Sequence, residues 1–366
     1  MEKQINQLRI KLMIDHIKIS GYKSFREIKI SLSPINIFIG ANGAGKSNFI
    51  SFFEFLSLLS EQKLQKHISL QGGEDKIFHK GINTTTILDF EISFNNEEYV
   101  YLVELEAASE GVIFVSEAVK HFNEQKQELK TFGRESQLKE TDAESVNKVR
   151  QLLKSLRKYH FHDTGKNSPF NKMSHIENDK YFLYEDGSNL AAFLYNIKET
   201  HLTTYNRIIK VIQSIAPFFS DFLLEPNSEG YLRLQWQDQY SSTVYGVNDL
   251  SDGSMRFIAL CVLFMQPQLP STIIIDEPEL GLHPSAITKL AGMINIASRK
   301  GTQVIASTQS ADLINHFAPE QIVTVDQKNG ESLFASLNAT ELSIWLDEYD
   351  IGDLWQRHLI NGGQPK

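Results

Sequence analysis

The chain has 366 residues, 41% of them hydrophobic, and a formal net charge of −9. This length is sufficient to bury a substantial core, in one large domain or two smaller ones. The acidic balance excludes the global basic surface of a dedicated duplex-DNA binder, and the single cysteine, Cys261, excludes an internal disulfide and a cysteine-cluster metal site.

Hydropathy argues against a membrane protein. No apolar run reaches the roughly 18 residues that a bilayer span requires. The first residues, Met1 to Asn6, lack the apolar core of a secretory signal. A single cysteine also agrees with a reducing compartment. We therefore expect a cytoplasmic protein with no membrane association.

The first predicted unit, residues 12–122, is the N-terminal lobe of the fold. Residues 17–40 predict two strands around a turn, and the second strand runs into a glycine-rich loop. Apolar residues at helical spacing predict a helix over residues 48–64. Alternating apolar and polar residues over 84–122 predict an antiparallel meander.

Three further units follow. Residues 123–218 predict a helical insertion, with a polar loop before helices near Leu153 and over 189–218. Residues 219–340 predict a C-terminal lobe in which a helix over 254–265 precedes buried strands at 272–275 and 303–307. Strands alternating with helices predict an α/β fold with a central, largely parallel sheet and an antiparallel β subdomain.

The last unit, residues 341–366, is a tail that mixes aromatic and acidic residues. Its aromatic residues are Trp345, Tyr349 and Trp355. Aromatic residues are enriched both in domain cores and in protein interfaces. The tail therefore either packs on its own head domain or docks a partner.

The glycine-rich loop reads Gly-Ala-Asn-Gly-Ala-Gly-Lys-Ser over residues 40–47, between an apolar strand and a helix. Its glycines let consecutive backbone N–H groups point at phosphate oxygens, which predicts a P-loop that binds ATP. Lys46 supplies a positive charge to the β- and γ-phosphates, and Ser47 offers a hydroxyl to Mg²⁺. The predicted nucleotide contacts are Asn42, Gly43, Ala44, Gly45, Lys46, Ser47 and Asn48.

Two carboxylates end the apolar strand over 272–275. Asp276 and Glu277 lie at the carboxyl end of that strand, where a nucleotide sits in α/β folds. We expect Asp276 to hold Mg²⁺ and Glu277 to polarise the attacking water.

Residues 250–256, Leu-Ser-Asp-Gly-Ser-Met-Arg, open a predicted helix shortly before these acids. A serine, a glycine backbone and a helix N-terminus form an anion site. The stretch resembles the signature motif of ABC-type ATPases, in the variant of RecF-, SMC- and OLD-like proteins. The resemblance implies that Ser251, Gly253 and Ser254 close on ATP bound to a second copy.

The resemblance covers nearly the whole chain. It includes residues 21–25, 159–164, 276–284 and 307–310 and the closing stretch 345–363, which look like stand-alone ATPases of the RecF/OLD-like branch. It implies an ATP-joined homodimer or a higher oligomer that regulates a separately encoded effector, a nuclease or toxin, in phage defence. The alternative is a RecF-like ATPase that binds DNA ends or repairs DNA.

Gln309 departs from the pattern, because many ABC-type ATPases carry a switch histidine at this place. Glutamine donates a hydrogen bond to the γ-phosphate but neither carries charge nor shuttles a proton. We therefore expect Gln309 to act in catalysis and hydrolysis to be slow. Three candidates for the usual Q-loop glutamine, Gln62, Gln65 and Gln71, have no sequence context that selects among them.

Three weaker signals bear on partners. His160, His162 and Asp163 are spaced as metal ligands, but no second ligand cluster accompanies them. The helix near Leu153 is locally basic and offers either a phosphate-backbone contact or a solvated face, through Lys148, Arg150, Lys154, Arg157 and Lys158. OLD-like nucleases carry a further Toprim domain, for which about fifty residues after His316 are too few, so we expect no nuclease within the chain.

Overall fold

A computed structural model describes residues 13–109, 111–122, 124–129 and 132–363. The segment Met1 to Asn6 and the predicted unit boundaries at residues 12, 123 and 366 lie outside the described residues. In the described part no helix is both long and apolar enough to cross a membrane.

The strands, in chain order, are β1 (Ile14–Tyr22), β2 (Phe25–Ser31), β3 (Ile35–Gly40), β4 (Ile87–Phe94), β5 (Tyr99–Ala108), β6 (Gly111–His121), β7 (Gln127–Glu128), β8 (Leu156–Tyr159), β9 (Ser174–His175), β10 (Phe219–Leu223), β11 (Tyr231–Leu232), β12 (Gln235–Asp238), β13 (Val244–Gly246), β14 (Thr272–Asp276), β15 (Gln303–Thr308), β16 (Ile322–Lys328) and β17 (Glu331–Ser336).

The helices are α1 (Lys46–Ser60), α2 (Leu64–Leu70), α3 (Glu144–Lys154), α4 (Leu190–Thr200), α5 (Leu202–Gln213), α6 (Asp252–Met265), α7 (Pro284–Arg299), α8 (Ala311–Ile314), α9 (Ala339–Leu346) and α10 (Ile351–Gln356).

Over the residues described, two six-stranded sheets form the framework. The first is antiparallel, in the order β2-β1-β4-β5-β6-β7, and contains the predicted meander. The second has the order β17-β16-β3-β15-β14-β8, and its strands are parallel except for β17, which pairs antiparallel with β16. The predicted α/β class with a largely parallel central sheet and an antiparallel subdomain is confirmed.

Both faces of the parallel sheet are covered, because side chains alternate across each strand. Ile37, Ile275 and Ala306 point to a core shared with α4 to α8. Phe38, Ile274 and Ile305 point to a second core that includes α1 and the antiparallel sheet. This two-sided burial explains why the strands are continuous apolar runs in the sequence.

Two regions differ from the sequence prediction. Residues 123–218 are not an insertion of helices alone, because β8 pairs in parallel with β14 as the edge of the central sheet. The helix predicted over 189–218 is divided into α4 and α5 at His201, and residues after Gln213 lead into β10. A small antiparallel sheet of β10, β12 and β13 follows.

The tail packs on its own head domain. Tyr349 and Trp355 pack against the core, α10 contacts α8, and the backbone N–H of Gly352 donates to Asn315 Oδ1 at 2.6 Å. The indole Nε1 of Trp355 donates to the carbonyl oxygen of Gly362 at 2.8 Å. Trp345 keeps 45% of its surface exposed.

Candidate nucleotide site

The glycine-rich loop connects the end of β3 to the start of α1, as the sequence predicts. Gly43 and Gly45 have φ angles of +79° and +115°, a region that side chains rarely adopt. A Cβ on Gly45 would also overlap Ser332 Oγ. That hydroxyl donates to the carbonyl oxygen of Ala44 at 2.5 Å, so β17 holds the loop through Ser332.

Lys46 is buried, with 5% of its surface exposed, and its Nζ donates to the carbonyl oxygens of Gly40 at 2.6 Å and Ala41 at 3.0 Å. Burial lowers the pKa of Lys46, while the nearby carboxylates of Glu277 and Asp276 oppose that shift. The charges of Asp276 and Glu277 therefore act on the ammonium group of Lys46, as expected for side chains of one site.

The other predicted loop residues differ in exposure. Ser47 is exposed at the N-terminus of α1, and Asn42 and Gly43 are exposed in the loop. Asn48 instead donates from Nδ2 to Ser24 Oγ at 2.8 Å, so its amide helps to hold the loop. The N-terminus of a fifteen-residue helix favours negative charge at this place.

Asp276 is the last residue of β14, and Glu277 follows it. The hydroxyl of Ser307 on the neighbouring strand β15 donates to Asp276 Oδ1. The backbone N–H of Glu277 donates to the carbonyl oxygen of Ser307 at 2.9 Å, and the residue has a φ of +41°. A non-glycine residue in this region is strained, and such strain concentrates at functional sites.

Gln309 and Glu277 touch although they are 32 residues apart, because β14 and β15 are adjacent. The Nε2 of Gln309 donates to Glu277 Oε1. A second acid, Glu279, accepts from the Thr308 hydroxyl and, at 3.3 Å, from the backbone N–H of Gln309. Glu279 is 8% exposed, its Oε2 has no hydrogen-bond partner among the residues that the structure describes, and burial raises its pKa.

The signature turn begins α6. Ser251 caps the helix by accepting from the backbone N–H of Ser254 at 3.2 Å, and its hydroxyl donates to Ser254 Oγ at 2.9 Å. A Cβ on Gly253 would overlap the carbonyl oxygen of Gly281, which explains the glycine. Among the described residues no hydrogen bond joins this turn to the P-loop.

Arg256 ties the signature helix to two neighbouring segments. Its Nη1 donates to the carbonyl oxygen of Leu280 at 2.8 Å, and its Nη2 donates to that of His162 at 2.9 Å. The Nε2 of His162 in turn donates to the carbonyl oxygen of Asp276 at 2.9 Å. A chain of contacts therefore runs from the signature helix to the strand end that carries the acids.

The three residues that are spaced as metal ligands near β8 contact one another or their own loop. The His160 and His162 rings lie 4.6 Å apart, and Asp163 Oδ1 accepts from the backbone N–H of Gly165 at 3.2 Å. Burial lowers the pKa of His160. Within the described ranges no group of three or more His, Cys, Asp or Glu side chains is arranged to hold a metal ion.

Three of the five basic residues near Leu153 make contacts within the chain. Arg150 donates to the carbonyl oxygen of Lys139 at 3.1 Å, Arg157 stacks over Phe182 at 4.1 Å, and Lys158 pairs with Glu54 at 3.0 Å. The glutamine candidates Gln62 and Gln65 donate from Nε2 to the carbonyl oxygens of Ser136 and Val112, so both amides are bonded within the N-terminal half of the chain.

Sequence reasoning missed Glu279 and Arg256 as members of the site. Both lie inside stretches that the resemblance singled out, but neither has a role there that spacing alone reveals. Their roles depend on which atoms approach them across strands and loops. The sequence feature that could have identified Glu279 is its position two residues after Glu277.

Comparisons with solved structures identify the fold. An SMC head bound to the C-terminal winged-helix domain of ScpA aligns over 90% of this chain and 99% of its own, at 19% identity and a TM-score of 0.61. An SMC head with an extended coiled coil, bound to the C-terminal domain of ScpA, from Pyrococcus furiosus aligns over 92% and 99%, at 15% identity and a TM-score of 0.56.

Curated relatives match shorter segments. The ATP-binding protein EcfA of an energy-coupling factor transporter from Methanocaldococcus jannaschii is 34% identical over 80 residues, which are 22% of this chain and 28% of EcfA. The replication and repair protein RecF from Acidothermus cellulolyticus is 27% identical over 77 residues, 20% of this chain and 21% of RecF. The matched segments thus span less than a third of the length of either relative.

Fold and site together match those of P-loop ATPases of the ABC type at the level of the family, with the fold of SMC heads and a 77-residue segment similar to RecF. Within that class, residues 35–315 match the family described as "AAA domain, putative AbiEii toxin, Type IV TA system". The chain belongs to this family.

Proposed function

We propose that this protein binds ATP with Mg²⁺, joins two copies around the nucleotide and hydrolyses it slowly to control a separate effector. The observation that carries the proposal is the convergence of Lys46, Asp276, Glu277 and Gln309 at adjacent strand ends. These four side chains are the types that phosphoryl transfer requires: a cation for the phosphates, carboxylates for a metal and a water, and a polar partner.

Mg²⁺ fits the oxygen donors at this place. Ser47 offers an exposed hydroxyl at the start of α1, and Asp276 offers a carboxylate whose field reaches Lys46. Hydroxyl and carboxylate oxygens are the ligands that Mg²⁺ prefers. When bound, the ion would neutralise charge on the phosphates.

Glu277 is the proposed water-polarising residue. The contact from Gln309 Nε2 fixes the direction of one of its carboxylate oxygens. Glu279 holds the backbone of Gln309 and the Thr308 hydroxyl, so it acts as a positioning residue behind the pair. A glutamine in this role supplies a hydrogen bond but no proton, which supports slow turnover.

The signature turn supports a composite site completed by a second copy. Ser251 is exposed, and its turn forms the N-terminus of a fourteen-residue helix. An exposed helix N-terminus that is not bonded to its own P-loop remains available for the phosphates of another copy. ATP would then lie between Lys46 of one copy and Ser251 of the other.

The proposal is tested with Lys46→Ala and Glu277→Gln. Lys46→Ala should abolish ATP binding measured by calorimetry. Glu277→Gln should bind ATP normally, hydrolyse it roughly 10²- to 10⁴-fold more slowly, and double in mass with ATP in light scattering. Glu320→Gln, an exposed acid outside the site, is the matched control and should hydrolyse ATP at the parental rate. Parental hydrolysis by Glu277→Gln would contradict the assignment.

The family description names a putative toxin and a Type IV toxin–antitoxin system, and it is this toxin–antitoxin context that motivates the proposed partner protein, a separate nuclease or toxin. A stable complex with another protein should therefore depend on the ATP state. Affinity capture from the native host with Glu277→Gln should retain that protein, and capture with Lys46→Ala should not. Identical captures with both variants would count against ATP-dependent control.

The RecF-like alternative remains a proposal about nucleic acid. It predicts DNA binding at low salt and hydrolysis stimulated by DNA. The intramolecular contacts of Arg150, Arg157 and Lys158 leave fewer basic side chains for a phosphate backbone. We therefore favour the regulatory function, and DNA-stimulated hydrolysis would reverse that preference.

A further inference from the structure

A cavity of about 410 Å³ lies beside the edge strand β8 of the central sheet. One side is formed by Arg157 and Tyr159 of β8 and by residues 266–270, in the connection between α6 and β14. Side chains of α4 form another side, together with residues 181–182 and His201. Among the described residues that line it, none belongs to the nucleotide site. Small-molecule pockets have volumes of roughly 300–1,000 Å³, so the cavity is large enough for a separate ligand.

Two buried side chains bring unpaired polar atoms to this cavity. Tyr159 is 1% exposed and Gln266 is 4% exposed, and both line it. Within the described ranges the Tyr159 hydroxyl has no hydrogen-bond partner. Gln266 donates from Nε2 to the carbonyl oxygen of Leu263 at 2.7 Å, while its Oε1 accepts no hydrogen bond from the described part of the chain. Polar atoms of buried side chains are normally paired, so a hydroxyl and an amide oxygen are available here to a polar ligand.

Arg157 adds a positive charge to the same cavity. The Cζ of its guanidinium group lies 4.1 Å from the centre of the Phe182 ring, which holds the group by stacking. Stacking uses the face of the guanidinium group, and among the described residues no hydrogen bond or ion pair occupies its N–H edges. The described lining residues include no carboxylate, although the whole chain has 45 Asp and Glu. An anion in the cavity therefore meets a free guanidinium edge and no lining carboxylate.

Aromatic rings provide the apolar surface of the cavity. Phe193 is buried in its wall, whereas Tyr181 and Phe182 are 74% and 46% exposed at its edge. Aromatic side chains stack on flat ring systems, and a flat ligand would cover these exposed rings. A mostly apolar and aromatic lining with a few polar groups is typical of a small-molecule site.

We propose that this cavity binds a small heteroaromatic anion, a flat ring that carries an N–H donor and a carboxylate or phosphate group. The anionic group would accept from the free N–H edge of Arg157, a geometry that suits carboxylate and phosphate oxygens. The ring N–H would donate to Gln266 Oε1, and the Tyr159 hydroxyl would donate to an oxygen of the ligand. The site is separate from the P-loop and goes beyond the proposed function.

The test measures the binding of two probes to the full chain by calorimetry. GMP combines a purine N–H with a phosphate, and indole-3-acetate combines an indole N–H with a carboxylate. Both probes are also measured on Lys46→Ala, in which the P-loop lysine is absent. The cavity variants are Arg157→Gln and Tyr159→Phe, which keeps the buried ring and removes only the hydroxyl. Arg233→Gln is the matched control, because Arg233 is exposed and does not line the cavity.

At least one probe should bind the parent and Lys46→Ala with equal affinity. Arg157→Gln should weaken this binding roughly tenfold or more, and Tyr159→Phe roughly three- to tenfold, because each loses a hydrogen bond to the ligand. Arg233→Gln should bind like the parent. Binding of GMP identifies a nucleotide as the natural class of ligand, and binding of indole-3-acetate alone identifies an aromatic carboxylate.

Three results would overturn the site: neither probe binds at millimolar concentration, binding is lost in Lys46→Ala, or both cavity variants bind within twofold of the parent. The second result would assign the probe to the P-loop. ATP binding by the parent is measured in parallel, so failure of the cavity is distinguished from failure of the proposed function. Normal ATP binding with no probe bound would overturn the cavity alone.

Discussion

Glu279 is a buried carboxyl group behind the proposed reacting pair, and its protonation affects stability. Burial raises its pKa above the ordinary value of 4.5. The folded chain therefore keeps a proton that the unfolded chain releases, and stability should fall as the pH rises from about 4.5 through the raised pKa. Glu279→Gln removes this fall, so its stability relative to the parent should increase between pH 4 and pH 8 in urea unfolding.

A companion variant separates charge from hydrogen bonding. Glutamine keeps an oxygen to accept from Thr308 and from the backbone N–H of Gln309. Glu279→Leu leaves both donors unpaired and should lower the free energy of unfolding by about 1–3 kcal/mol at every pH. Equal pH dependence of Glu279→Gln and the parent would show that this carboxyl does not retain its proton.

Gln309 should determine the rate of the chemical step. Gln309→Ala removes the contact to Glu277 and should lower kcat about tenfold or more while changing KM little, since ATP binding depends on the P-loop. Gln309→His adds a group that can carry charge and move a proton, and should turn over faster than the parent with a new pH dependence near neutrality. A histidine variant slower than the parent would contradict the idea that glutamine limits the rate.

At the scale of elements, two helical glycines should respond oppositely to the same substitution. Gly253 in the first turn of α6 lies against the carbonyl oxygen of Gly281, so Gly253→Ala forces the signature helix and segment 280–284 apart. Gly292 in α7 is exposed, and no atom of the described part of the chain lies within 4 Å of an added Cβ. Gly253→Ala should cost about 1–3 kcal/mol, and Gly292→Ala should gain about 0.5–1 kcal/mol, in urea unfolding.

The elements that the sequence predicts well are those with a local signal. Helix α1 follows the loop because Phe49, Phe53 and Leu56 recur at helical spacing and pack in one core. Strand β8 has only four residues, and nothing local shows that it pairs with β14, since parallel pairing depends on residues over a hundred positions away. The break between α4 and α5 at His201 likewise could not be predicted, because no glycine or proline marks it in the sequence.

At the scale of the whole molecule, motif spacing locates the P-loop, the acids and Gln309, and the topology explains why they meet. The sequence could not show that the tail returns to the end of β16, because this depends on the backbone hydrogen bonds of Gly362 to Asp326 and Trp355. Composition left two alternatives for the tail, its own head or a partner. The structure packs it on the head.

The proposed composite site, shared between two copies, leads to a prediction about mixed dimers. Lys46→Ala disables a P-loop but leaves a signature turn intact, whereas Ser251→Arg disables a signature turn but leaves a P-loop intact. Each variant alone should be inactive. In a dimer of the two, one site combines both defects and the other combines the two intact halves. An equal mixture should therefore recover roughly a quarter of the parental ATPase rate per chain, because half of the dimers are mixed and each has one working site.

Mixing Lys46→Ala with the double variant Lys46→Ala/Ser251→Arg is the control, since no dimer in that mixture has an intact P-loop. It should remain inactive in a coupled phosphate-release assay at every ratio. If each chain instead hydrolyses ATP alone, the first mixture will also stay inactive, or Ser251→Arg will be active by itself. The recovered rate thus measures directly whether Ser251 of one copy completes the site around Lys46 of the other.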